Sequence, residues 1–403
     1  LLGPLAGEPG GAQRLDVDRI VRAGDMKRRT RTLATSALAT VATVAIVSGG
    51  AAAVRDASAP AGIGAAGYGS PAPSGSPWPD PAPSTSGGVG APGWPYPDLP
   101  SVTVGADCTM APLRGPAGLA RAVDHTGEYV LEEQRTGTQA TAVVWKDGAK
   151  VAEVALPVSD RTEYWINAGG EFAVTVADKQ KNGFPYAYVD GKLTKLKGGG
   201  GLVSGITDDG RVAGSLKSGA AVVWKTAGAE PTRLAVPDGA EYAQVHGIDQ
   251  DGTVAGYGNS DADTRAVFWL PGGGTREVPV ADGQTSPYMV GFAGGWVAGA
   301  DSRNGYRYNV RTDTYEKLPA LGIRPVAVGT DGTVVSGDGN PTETFHAIAG
   351  GSARKLASNS TATSYNILGV SDDGRTVTGN QYDRGAEDPA DGAGGRTVTW
   401  TCG

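Results

Sequence analysis

Seven glycines, Gly127, Gly170, Gly210, Gly252, Gly295, Gly332 and Gly374, recur 37 to 43 residues apart, each between two short apolar stretches. That period is the size of one four-stranded propeller blade, and a unit too small to bury its own faces must stack on copies of itself. The best-preserved units show the grammar. Gly205-Ile206-Thr207-Asp208-Asp209-Gly210-Arg211-Val212-Ala213-Gly214 is echoed by Gly247-Ile248-Asp249-Gln250-Asp251-Gly252-Thr253-Val254-Ala255-Gly256 and by Gly369-Val370-Ser371-Asp372-Asp373-Gly374-Arg375-Thr376-Val377-Thr378-Gly379. An Asp-Gly pair between apolar runs marks a hairpin, because Gly tolerates positive φ and Asp bonds its own backbone. Each unit therefore opens with two antiparallel strands.

A third strand follows a variable loop: Ala142–Trp145, Tyr186–Tyr188, Ala221–Trp224, Ala266–Trp269, Tyr306–Tyr308, His346–Ile348 and Thr397–Trp400. Aromatics recur there, and bulk is needed where neighbouring blades diverge away from the axis. A fourth, shorter strand is expected to end near Leu and Pro: Val154–Pro157, Arg233–Pro237, Lys317–Pro319 and Lys355–Leu356. The fold class is all-β, a seven-bladed propeller of four-stranded blades over residues 104–403.

The unit ending at Trp400-Thr401-Cys402-Gly403 lacks a fourth strand, whereas Cys108–Leu113, ahead of the first complete repeat, looks like one. The expectation is that this segment closes the ring by pairing with the strand at Trp400. That register brings the two cysteines together, so Cys108 and Cys402 are expected to form a disulfide; the alternative is two unrelated buried thiols.

The hairpin pattern, followed by a strand of His-Ala-Phe type, resembles the extracellular HAF repeat family, itself similar to TolB-like and WD40-like propellers. The resemblance covers residues 108–403, and His346-Ala347 alone keeps the namesake His. It implies an exported propeller and no defined activity.

The residues before 104 have a different composition. Leu33–Val54 carries no charge and follows Lys27, Arg28, Arg29 and Arg31. About 20 apolar residues cross a bilayer, and the basic flank puts the N-terminal side in the cytoplasm. This divides the chain into a cytoplasmic stub (1–31), a transmembrane helix (32–55), a linker (56–103) and the propeller. The alternative is a cleaved signal peptide from Met26, with Ala51-Ala52-Ala53 as its cleavage site. Either way the propeller lies outside the cell, anchored in the membrane or secreted. Eleven prolines between Pro60 and Pro100 make the linker an extended spacer that buries little, with Trp78, Trp94 and Tyr96 as exposed aromatics.

A net charge of -7 argues against a nucleic-acid partner, which requires clustered Lys and Arg. The chain has no Gly-x-Ser-x-Gly, His-Glu-x-x-His, Cys-x-x-Cys or Walker motif, so no catalytic residue, metal ligand or cofactor is assigned. The three histidines fall at different places: His125 in a blade-entry turn, His346 in a third strand, and His246 in an innermost strand, where it could serve as a base or ligand. Asp249-Gln250-Asp251-Gly252 lacks the spaced oxygens and final Glu of a calcium loop, having Ser260 at position twelve, so turn chemistry accounts for it.

The loops entering the innermost strands carry Tyr164, Trp165, Tyr242, Tyr288 and Tyr365, with Arg324 at the corresponding place in another unit. On a propeller these would form an aromatic rim round the channel mouth and, with His246, a candidate binding site; the competing view is that each Tyr packs beneath its own loop. The Asn380–Arg396 loop, with Asp383, Glu387, Asp388 and Asp391 beside Arg384, and the Ala177–Pro185 segment offer further specificity. The expected function is an interaction module, monomeric, for a peptide, protein or cell-wall glycan. An exported polysaccharide hydrolase or lyase and a transmembrane signalling protein with a cytoplasmic regulator are the alternatives.

Overall fold

The computed structural model describes residues 102–403 apart from 116–117, 137–138, 159–160, 179–181, 261–263, 280–287, 301–304, 320–323, 338–343, 359–361 and 384–394. The expected stub, membrane segment and linker up to residue 101 lie outside the described residues, as do most of the Asn380–Arg396 loop and Lys179 and Lys181; the last two residues assigned to the linker belong to the propeller, Val102 being buried against Ile348 and Ala353 and Thr103 paired to blade 6.

The strands form seven separate sheets. Their first strands are Ala120–Val123, Arg161–Ile166, Gly201–Ile206, Tyr242–Ile248, Tyr288–Ala293, Arg324–Val328 and Ala362–Val370 in blades 1 to 7. Each first strand contacts that of the next blade, and the seventh contacts the first. The result is a closed seven-bladed propeller. Its core is spread among the inter-blade interfaces, each filled by both neighbours: Trp224 and Val203 with Ala173 between blades 2 and 3, Phe268 and Ala255 with Met289 and Tyr308 between blades 4 and 5.

The third-strand aromatics fill the wedge. Trp224, Trp400, Tyr306 and Tyr308 are fully buried. A buried indole needs an acceptor for its N–H, and three units solve this in the same way. Trp224 donates to the Lys197 carbonyl at 2.9 Å, Trp269 to Ala235 at 2.7 Å and Trp400 to Ala357 at 2.8 Å. Each acceptor directly follows a leucine, Leu196, Leu234 or Leu356, in the connection from the preceding blade.

Those leucines correct the expected fourth strands. The observed strands, Ala149–Ala155, Thr232–Arg233, Thr314–Lys317 and Ser352–Lys355, stop before the Leu-Pro region. The apolar residue makes one last ladder bond and then turns inward. Leu156 donates to Ala140, Leu196 to Pro185, Leu234 to Ala221, Val278 to Ala266, Leu318 to Gly305 and Leu356 to Phe345. Burying the side chain bends the backbone off the sheet, so the strand ends where hydrophobicity peaks.

In blade 7 the outermost strand is Thr109–Pro112, antiparallel to Gly395–Thr401 with Met110 opposite Trp400. Cys108 and Cys402 are joined in a disulfide across 294 residues. Thr103–Val104 adds an unexpected fifth strand, parallel to Ser352–Lys355 on the edge of blade 6. The segment from Thr103 to Pro112 thus bridges the outer edges of two blades.

Candidate functional site

An antiparallel strand with one extra residue bends and re-aims the side chains around the insertion. Six of the seven innermost strands carry such a bulge at the same level, with Arg121, Ser204, His246, Val290, Val326 and Leu368 as the inserted residues. Blade 2 is regular. A small residue follows each bulge, and an apolar side chain of the next blade packs there. A Cβ on Gly205 would lie 2.9 Å from Ile248 Cγ2, on Gly291 3.2 Å from Val328 Cγ1, and on Gly369 2.7 Å from Val123 Cγ1. The glycines therefore set how closely the blades approach the axis. They also fix a register: Gln244, Tyr288, Arg324 and Asn366 occupy one tier, two residues before the bulge in blades 4 to 7.

The channel has two ends. The Asp-Gly turns form the floor, and their carboxylates are spent on one another's N–H groups. Asp208 accepts from the Ala168 N–H at 2.9 Å, Asp249 from Gly294 at 3.1 Å, and Gln250 from the Asp208 N–H at 2.8 Å. Arg311 reaches both Asp249 and Asp251, at 2.8 and 3.0 Å. Among the described residues no group of three or more His, Cys, Asp or Glu is placed to hold a metal ion.

His125 does more than shape its turn. Its Nδ1 lies 2.7 Å from Asp372 of blade 7 and its Nε2 2.9 Å from Asp208 of blade 3. Both ring nitrogens face carboxylates, so the doubly protonated form fits best. Burial lowers its pKa, but the hydrogen bonds and charges of the two aspartates outweigh burial and raise it. This clasp joins three blades on the floor.

At the mouth the candidate residues divide. Tyr164 is 7% exposed, its ring edge-on to Phe172 and its hydroxyl donating to Glu133 Oε2 at 2.6 Å. Burial pushes that phenol's pKa up, and the Glu133 charge adds to the effect. Tyr365 is 8% exposed, with its ring edge against Trp400. These two pack in inter-blade cores and present no open ring face. Trp165 is half-buried against the blade 2–3 core. His246 is the blade 4 bulge, buried with its ring edge-on to Tyr257. Tyr288 and Arg324 begin the innermost strands of blades 5 and 6; the Tyr288 side chain lies outside the described residues.

Tyr242 is different. It is half-buried and lines a small apolar cleft at the mouth, together with Leu202, Leu216, Gly183, Gly201 and Gly219. Lys217 edges the cleft, and its Nζ lies 2.9 Å from Asn182 Oδ1 of the next loop. Blades 2, 3 and 4 all contribute. Gly183 and Gly201 are buried beneath the cleft, where a Cβ would fall 2.6 Å from the Gly201 carbonyl oxygen and 2.4 Å from that of Ser215, so these glycines let the strands of blades 2 and 3 pack closely under it.

The strand sequences hold further groups that the aromatic search missed. Glu133, nearly fully buried, accepts from Thr162, Tyr164 and Arg135. Burial raises its pKa, but these bonds and the Arg121 charge win and hold it below the usual carboxylate range. Gln244, Ser364 and Asn366 also belong here. The tier lies eight residues ahead of the turn glycine at Gln244, Arg324 and Asn366 and seven ahead at Tyr288, a register present in the repeats but carried by residue types too varied to stand out.

No family model and no curated protein matches the chain. Solved structures match it in shape at low identity. A catalytically inactive virginiamycin B lyase from Staphylococcus aureus with quinupristin is 12% identical, with 73% of this chain and 99% of that one covered and a TM-score of 0.48. The β-propeller domain of the Trilobed protease from Pyrococcus furiosus is 13% identical, covering 70% and 93% with a TM-score of 0.46. YCF48 bound to D1 peptide is 12% identical, covering 75% and 98% with a TM-score of 0.44.

Proposed function

We propose that this protein is a binding module that holds a peptide segment of another protein at the channel mouth. The observation that carries this reading is the cleft lined by Tyr242, Leu202 and Leu216. A half-buried tyrosine over an apolar, glycine-walled recess anchors a ligand side chain with little entropy lost on ordering. The propeller is presented outside the cell, by a membrane anchor at residues 33–54 or by secretion. Two features support that location: the basic residues preceding the uncharged stretch, and the disulfide, a bond that persists in oxidising compartments. The Pro-rich residues up to 101 hold it away from the surface. The resemblance of the hairpins and of His346-Ala347 to the HAF repeat family, which implies an exported propeller, supports the same location. The protein acts as a monomer, which suits a surface whose exposed large hydrophobics among the described residues are four valines, Val104, Val151, Val158 and Val236, on outer strands and inter-blade connections.

The test is a selection of random displayed peptides on the full-length protein, followed by titration of the selected sequences. Wild type is expected to bind, and Tyr242→Ala to bind at least tenfold more weakly while melting at a similar temperature. Failure to select peptides, or equal binding by the variant, refutes the reading. If a cell-wall glycan is captured in their place and lost with the same variant, the site stands and the ligand class changes.

A further inference from the structure

An ammonium group carries three donors, and its strongest acceptor is a carboxylate. A lysine fixed in place without a carboxylate is therefore a charge still to be answered. Lys217 is the one charged residue among those lining the cleft with Tyr242, Leu202 and Leu216. Its side chain is exposed, so a ligand seated in the cleft can reach it.

The lysine does not swing freely. Its backbone N–H donates to the Gly200 carbonyl at 2.8 Å. Its stem runs over Gly200, where a Cβ would lie 3.7 Å from Lys217 Cδ. Its Nζ donates to Asn182 Oδ1 at 2.9 Å. Asn182 is in turn fixed by Asp178, which accepts from its backbone N–H at 2.8 Å and from its Nδ2 at 3.1 Å. The Asp178 carboxylate is thus spent on the asparagine, and the lysine meets a neutral carbonyl. Lys146, Lys150 and Lys197 each pair with a glutamate, at 3.3, 2.6 and 3.1 Å; among the described residues none places a carboxylate on Lys217. With one N–H given to Asn182, the others remain for a ligand.

We infer that the cleft and Lys217 together recognise an apolar residue with a carboxylate beside it, the apolar side chain lying against Tyr242, Leu202 and Leu216 and the carboxylate on Lys217 Nζ. The inference rests on the peptide-binding reading and deepens it by naming the chemistry of the segment: a partner's Asp or Glu next to an apolar residue, or a chain end that closes on one. Charge complementarity favours this occupant. A basic segment would set a second cation against the ammonium, and a neutral one would leave it unanswered. Because the lysine is already held, little freedom is lost when the carboxylate binds. A charge at a rim acts chiefly on association and is screened by salt.

The experiment titrates the full-length protein, by ligand-observed NMR, with acetyl-Gly-Leu-Asp-Gly-amide, its Leu-Asn counterpart, acetyl-Gly-Gly-Leu with a free C-terminus and the amide of that peptide. At least one acid is expected to bind about fivefold more tightly than its neutral counterpart. Which acid does so tells a side-chain carboxylate from a chain end. The preference should weaken with added salt, vanish in Lys217→Gln and persist in Lys217→Arg, with both variants melting like wild type because the side chain is exposed. Tyr242→Ala should weaken acid and neutral probes alike without changing their ratio. Equal binding of each acid and its neutral counterpart, or a preference that survives Lys217→Gln, overturns this inference and leaves the peptide reading intact. Binding that Tyr242→Ala does not weaken, or no binding of any probe at millimolar concentration, overturns both.

Discussion

Removing the Cys108–Cys402 disulfide should cost more stability than any other two-atom change in the propeller. The bond spans 294 residues, and the chain-entropy relation gives about 5–6 kcal/mol for a loop of that length. Denatured-state structure reduces such values, so the expected loss is about 3–5 kcal/mol. At about 2–4 °C per kcal/mol for a large domain, the melting temperature should fall by about 6–20 °C. The structural setting makes blade 7 the place of failure. Both cysteines are buried, and the Cys108 N–H donates to Lys355 at 2.8 Å while the Cys402 N–H donates to Arg375 at 2.7 Å. Without the bond, the outer strand is held by the ladder of the four residues Thr109–Pro112 and by the short pairing of Thr103–Val104 and Cys108 with the edge of blade 6. Thermal and guanidinium unfolding would be followed by near-ultraviolet circular dichroism for wild type and for the Cys108→Ser/Cys402→Ser double variant. Superimposable transitions, or two free thiols by mass under non-reducing conditions, would refute the reasoning.

Two further outcomes follow from the axial packing and the floor. Gly369→Ala should destabilise by about 1–3 kcal/mol, since its Cβ would fall 2.7 Å from Val123 Cγ1; Gly247→Ala, whose nearest neighbour is 3.7 Å away, should cost under about 1 kcal/mol, and urea midpoints compare them. The raised pKa of His125 gives stability that is fully present below the unfolded value of about 6.5 and is lost as pH rises through the folded pKa. The destabilisation caused by His125→Ala should therefore be larger at pH 5.5 than at pH 8.5, and an equal effect at both would remove the clasp from the account.

The period of the turn glycines made the blades legible, because positive φ recurs wherever a hairpin must reverse; Gly127, Gly170, Gly210, Gly252, Gly295, Gly332 and Gly374 all adopt it. The third-strand aromatics were legible for the same reason of repeated need. Strand ends were not, since Leu156 or Leu356 reads equally well as a strand residue or as the plug that ends one. The rim was half legible. Tyr164 and Tyr365 look like loop-entry aromatics in the sequence, and only the placement of Phe172 and Trp400 beside them shows that they are core. Arg121 was hidden by its company, a polar residue in an Ala-Arg-Ala-Val run whose bulge appears only once strands are paired. The His125 clasp joins residues 83 and 247 apart in sequence, a distance no local pattern spans.

The most direct test of binding at the channel mouth is hydrogen exchange of the full-length protein with and without a selected peptide. The account predicts slowed exchange in the segments holding Leu202, Leu216 and Tyr242, with the floor turns at Asp208 and Gln250 unchanged. Protection on the floor or at the outer blade edges, with none at the mouth, would contradict it.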